Sequence, residues 1–127
     1  MQASTRIAIE EAIEQVLRER VKEPFMLLRE IGLQARLWDL LCQRLSPNVV
    51  TSKIELRRGA LHHHTRDFKT SRVQLESKIG GSKRSDIVVL RADTKLQLTC
   101  WPGGPTDVVA AIRPADVEAV IELKAAC

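Results

Sequence analysis

The chain has 127 residues, 44% apolar and 28% charged, which excludes a disordered polymer and suits one domain, residues 1–127, that buries roughly two-thirds of its unfolded surface. Its net charge of +4 is unevenly spread: residues 53–91 carry ten basic and four acidic groups, against seven and seven in residues 1–52 and three and five in residues 92–127. No apolar run approaches the roughly 18 residues that cross a bilayer, and the N-terminus is too acidic for a signal peptide. Cys42, Cys100 and Cys127 lack the spacing of a disulfide frame or zinc site, so the expectation is a cytoplasmic protein with reduced thiols and no membrane association.

In chain order, Ile9, Ile13, Val16, Leu17 and Val21 recur at helical spacing, with acids early and bases late as the helix dipole favours. They predict an N-terminal helix over residues 4–22, set apart from a core of residues 23–127. Pro24 disfavours helical geometry at Glu23 and suits the first turn of a new helix, so a second helix is predicted from there to about Leu45, stopped by Ser46-Pro47-Asn48. Residues 49–61 are mixed and basic and fit either a short strand or an irregular excursion. His62-His63-His64 reads as a solvated loop, since adjacent histidines cannot all face one ion and no partners stand at zinc spacing.

Val73 and Leu75 alternate with Gln74 and Glu76, a strand pattern over residues 72–78, followed by turn chemistry at Ile79-Gly80-Gly81-Ser82. Residues 86–90, Asp-Ile-Val-Val-Leu, are apolar on both faces and predict a central strand. Residues 94–100 alternate again, Trp101-Pro102-Gly103-Gly104-Pro105 is loop chemistry, and Val117–Leu123 is the last apolar strand.

Glu122 and Lys124, two positions apart in extended chain, leave the same face about 7 Å from each other. Antiparallel pairing of that strand with the one opened by Asp86 would bring a second carboxylate beside Glu122. Two close carboxylates repel unless a cation joins them, and Mg²⁺ is commonly held by one or two carboxylates together with water and substrate phosphate. Such an arrangement suits phosphodiester hydrolysis, in which a neighbouring ammonium steadies developing negative charge.

These residues, Ser85-Asp86-Ile87-Val88-Val89 with the turn Gly80-Gly81-Ser82-Lys83-Arg84 before them and Glu122-Leu123-Lys124 after, resemble the PD-(D/E)xK, restriction-endonuclease-like nucleases over residues 30–124. The resemblance implies an α/β fold with a mixed central sheet and flanking helices, its core following the order helix, three-stranded meander, helix, strand. It implies a Mg²⁺- or Mn²⁺-dependent nuclease acting on DNA, or RNA by the same chemistry, with Asp86 and Glu122 as metal ligands, the Leu123 carbonyl assisting, and Lys124 acting on the nucleophile. Many members add a Glu on the preceding helix, and Glu30 is the candidate because it shares a stripe with Leu33, Gln34, Leu37 and Leu41.

The chain departs from the pattern in three places: Ser85 stands where the family has Pro, residues 92–115 form an insertion, and the sequence ends soon after Lys124, before the second helix and fourth strand. Arg66, Lys69, Arg72, Lys83 and Arg84 are the candidate phosphate contacts, which position a nucleic acid rather than read its sequence. Glu76 is a candidate supporting acid, Asp107 and Asp116 rank below Asp86, Trp38 reads as core and Trp101 as a stacking candidate. The alternatives are a nucleic-acid-binding module without turnover and a homodimer formed through the N-terminal helices.

Overall fold

A computed structural model describes residues 1–27, 29–57, 63–81, 83–100, 109–110 and 112–124. Two helices come first, α1 (Ala3–Lys22) and α2 (Glu30–Arg44), followed by β1 (Val49–Arg57), β2 (His63–Ser71), β3 (Val73–Lys78), β4 (Arg84–Leu90), β5 (Lys95–Cys100) and β6 (Val109–Ala110). A short 3₁₀ turn (Pro114–Asp116) then leads into β7 (Val117–Ile121).

The strands form two sheets, a mixed one in the order β2-β1-β5-β6 and an antiparallel one in the order β3-β4-β7. The antiparallel sheet is the middle layer. On one face Val73, Ile87 and Val89 meet Ala8, Ile9 and Ala12 of α1 and Leu37, Leu40 and Leu41 of α2. On the other face Val88 and Leu90 meet Val50, Leu96 and Leu98 of the mixed sheet, with Ile112. Ile87, Val88, Val89 and Leu90 are wholly buried, each contributing about 1.5–3 kcal/mol of apolar burial, which explains why β4 is apolar on both faces.

The α/β class is as expected, but the single mixed central sheet is not. Two sheets are stacked, both helices lie on one side, and the mixed character belongs to the outer sheet through the parallel pairing of β1 with β5. The split arises at Arg72, which stands between β2 and β3. Its N–H bonds to Asn48 O, on the β1 side, while its carbonyl accepts from Leu90 N of β4, each at 2.8 Å. One extended segment thus changes partners at a corner and serves both sheets.

Residues 49–57, which the sequence left undecided, are a full strand, and His63 and His64 open β2 rather than sit in a loop. The pairing of β1 with β2, from Val49 opposite Ser71 to Arg57 opposite His63, and with β5 on its other side explains how a polar segment becomes strand: it lies in an outer sheet that needs only one buried face. The second helix begins at Glu30, not Pro24. Phe25 and Met26 are largely exposed, so no tertiary burial holds that turn helical, and the first helical bonds run from Gly32 N and Leu33 N to Arg29 O. The segment between β4 and β7, expected to be an insertion, supplies β5 and β6 of the outer sheet. The loop predicted at Trp101–Pro105, His62 and Asp107 lie outside the described residues. Trp38 packs against the core and its indole N–H donates to Val73 O at 3.0 Å.

Arg72, expected to contact phosphate, is instead 1% exposed. Its Nη2 donates to Glu118 Oε2 at 2.7 Å and to Thr5 Oγ1 at 3.0 Å, its Nε to Leu90 O at 2.7 Å and its Nη1 to Pro47 O at 3.2 Å. Sequence counting read it as surface charge because most arginines are; here a planar fork of donors meets acceptors from four segments. Removing one partner of a buried pair strands the other, so Arg72→Ala is expected to lower unfolding stability by roughly 3–5 kcal/mol. Urea denaturation followed by circular dichroism measures it, and a loss below about 1 kcal/mol would contradict the bonding described.

Candidate carboxylate site

β4 and β7 pair antiparallel, with Ile87 opposite Ile121, Val88 opposite Val120 and Val89 opposite Ala119. One further step of the same register sets Asp86 across from Glu122, and directly opposed strand residues have Cβ atoms about 4.5–5.5 Å apart. A hydrogen bond fixes the approach: Leu123 N donates to Asp86 Oδ2 at 2.7 Å. The carboxylate therefore takes the place of a ladder acceptor where the strands end.

The alternation of the last segment sorts its side chains. Ile121 and Leu123 pack towards the helices, while Glu122 and Lys124 are exposed and Asp86 is half-buried. Arg84 precedes Asp86 by two on β4, sharing its face about 7 Å away, and is exposed. Asp86, Glu122, Lys124 and Arg84 are thus brought to one end of the middle sheet. A nearby concavity of about 220 Å³ is lined by Glu122, Leu123 and Lys124 with Val16, Leu17, Arg20 and Leu33; Asp86 does not line it, so it is not where the two acids meet.

Other expected residues lie elsewhere. Arg66 and Lys69 are exposed on β2 of the outer sheet, and because their positions differ by an odd number they stand on opposite faces of it. Lys83 is exposed beside the turn between β3 and β4, a turn that Gly80 makes with φ 61° and that is tied to the insertion by Gly80 N bonding Ile112 O at 2.8 Å. Arg72 is withdrawn as a phosphate contact by its burial. Asp116, the rival acid, is buried, with Arg113 donating to both of its oxygens at 3.3 Å, an arrangement that pushes the Arg113 guanidinium above its ordinary value.

Glu30 does not occupy a buried position facing the meander. It is exposed in the first turn of α2, because that turn precedes the first side chain buried against the sheet, Leu33. The polar side chain that reaches the strands is Gln34, one turn later and 5% exposed. Its amide donates to Asp86 O at 2.7 Å and to Glu76 Oε1 at 3.2 Å. The apolar stripe of α2 gives Gln34 no signal of its own in the sequence, although a buried amide needs partners as surely as a buried acid does.

Glu76 is exposed and has φ 52°, a left-handed conformation uncommon outside glycine. The β3–β4 ladder runs through Leu75 opposite Ile87 and Ser77 opposite Ser85, and the missing step between them is the one that would pair Glu76 with Asp86. The irregularity is therefore local to the candidate site, where strained backbone commonly collects. No alternation pattern could announce it, since Glu76 sits in a regular strand sequence.

A pair of carboxylates, a main-chain carbonyl and water form a hard-oxygen donor set of the kind Mg²⁺ and Mn²⁺ take, and Asp86, Glu122 and Leu123 are the residues that would have to supply it. Among the described residues, no group of three or more His, Cys, Asp or Glu side chains stands placed to hold a metal ion. Searches of family models, curated proteins and solved structures find no match to the chain.

The backbone at residue 76 gives a direct test. Glu76→Gly is expected to keep or raise folding stability, whereas Glu76→Val should lower it by roughly 1–3 kcal/mol, since a β-branched side chain fits the left-handed region poorly. Thermal and urea unfolding of the two variants measures this, and a valine variant as stable as the parent would contradict the assigned conformation.

Proposed function

We propose that the chain is a metal-dependent nuclease domain of the restriction-endonuclease-like kind, hydrolysing DNA phosphodiester bonds at Asp86, Glu122 and Lys124. The observation that supports this reading most is the 2.7 Å bond from Leu123 N to Asp86 Oδ2. It joins Asp86, near the start of β4, to the Glu122-Leu123-Lys124 segment across sequence positions 86 and 123. The basic charge of residues 53–91 further supports a polyanionic substrate.

In this reading Asp86 and Glu122, with the Leu123 carbonyl, hold a Mg²⁺ or Mn²⁺ ion, which when bound supplies charge neutralisation at the scissile phosphate and an acidified water. Lys124 lies on the Glu122 side of the segment and holds negative charge that develops on the phosphate oxygens. Arg84, on the face and strand of Asp86, binds a neighbouring backbone phosphate and sets the register of the nucleic acid.

A non-catalytic nucleic-acid-binding module is favoured by one observation: the Asp86 carboxylate has a structural task, closing the β4–β7 ladder at Leu123 N. Nicking of supercoiled plasmid in Mg²⁺ separates the readings. Asp86→Ala and Lys124→Ala are each expected to lower the rate by about 100-fold or more; a variant cleaving at the parent rate would refute its assigned role. DNA binding without cleavage in either Mg²⁺ or Mn²⁺ would favour the binding module.

Phosphate contacts have a separate signature. Arg84→Ala is expected to weaken binding evenly across DNA sequences and to reduce the slope of log affinity against log salt by about 1. Arg72→Met should leave that slope unchanged in the folded protein. Fluorescence anisotropy over a salt series gives both slopes, and equal effects of the two variants would contradict the division between surface and buried arginine.

A further inference from the structure

We propose that Gln34 is a positioning residue for the carboxylate site, anchoring the Asp86 main chain to α2 while Glu76 orients its amide. The assignment rests on the carboxylate-site reading above and concerns a residue that touches neither substrate nor ion. Gln34 lies between Leu33 and Leu37 on the buried face of α2 and is itself 5% exposed. An apolar side chain would serve helix packing there, whereas a buried amide must be matched. Both of its donor bonds go to the candidate site: 2.7 Å to Asp86 O and 3.2 Å to Glu76 Oε1.

The ladder explains why a side chain is needed. Pairing between β3 and β4 omits the step between Leu75–Ile87 and Ser77–Ser85, where Glu76 turns to φ 52°, and at that step Gln34 supplies the Asp86 carbonyl with a donor. Asp86 is thereby held at two points, its carbonyl from the helix layer and its carboxylate by Leu123 N at 2.7 Å. Tying both ends of one residue limits rotation of the carboxylate, the service that outer partners give to metal ligands. The chain of bonds Glu76–Gln34–Asp86–Leu123 links α2, β3, β4 and the segment after β7.

Mn²⁺ binding to the full chain, followed by calorimetry and by electron paramagnetic resonance of the free ion, tests the role without requiring turnover. Gln34→Leu is expected to weaken Mn²⁺ affinity by 10- to 100-fold, in the range found for outer partners of ligands, with far-ultraviolet circular dichroism unchanged. Glu76→Gln, whose amide oxygen still accepts from Gln34, should retain affinity within about threefold of the parent. If Gln34→Leu does not fold, Gln34→Met, unbranched and of similar length, decides by the same criterion.

The outcomes separate the two levels of inference. Mn²⁺ binding that Asp86→Asn abolishes but the folded Gln34 variants leave at parental strength overturns the positioning role alone. A parent that binds no Mn²⁺, or binds it equally well as Asp86→Asn, overturns the carboxylate site and this assignment with it. Weakened binding in the Gln34 variants and near-parental binding in Glu76→Gln supports both.

Discussion

The guanidinium of Arg72 holds together elements that no local preference would bring to one place. It stands where the extended segment of β2 and β3 leaves one sheet for the other, and its donors reach α1 at Thr5, the turn before β1 at Pro47, the end of β4 at Leu90, and β7 at Glu118. Burying a charge is costly unless it is paired and fully bonded. Glu118 supplies the countercharge and itself accepts from Gln2 N at 2.9 Å. The three layers are thus tied at one corner by a single guanidinium.

That corner fixes the middle sheet, which carries Asp86 on β4. With β4 enclosed between α1 and α2 on one side and β1 and β5 on the other, its Asp86 end is left at the margin of both cores, half-buried. The position suits an acid that must be held firmly and still meet solvent. Rigidity comes from the apolar run Ile87–Leu90, and access from the end of the strand. The interhelical contact adds to the frame: Arg36 donates to both oxygens of Glu19, at 2.8 and 3.1 Å, and holds that carboxyl below its ordinary range.

The helix side of the site shows how a polar group can sit on a packing face and still be bonded. Gln34 occupies a position that an amphipathic pattern assigns to the core, and its bonds cross into the strands at the single step where β3 and β4 fail to pair. Glu30, one turn earlier, has the charge that invites a functional role but lies before the helix reaches the sheet. Thr5 and Ser52 are likewise buried polar residues, each bonded, to Arg72 and to Thr70.

The sequence by itself determined the elements whose side chains repeat with a clear period: α1, most of α2, β3, β4, β5 and β7 were legible because burial on one or both faces imposes alternation, helical spacing or an unbroken apolar run. The expectation that Glu122 and Lys124 share a face came from a strand running to Leu123, whereas β7 ends at Ile121 and both side chains are exposed beyond it. Only the tertiary structure decided that β1 and β2 form, since polar strands of an outer sheet are made by pairing rather than by pattern, and that two sheets replace one. It alone decided which charges are surface and which are structural. Arg72 and Arg84 look alike as letters, and the difference between a buried fork and a solvated cation is set by the acceptors that long-range folding brings to each. The bond from Leu123 to Asp86 belongs to the same class: each residue type was legible, but their meeting depended on the register of strands separated by the whole insertion.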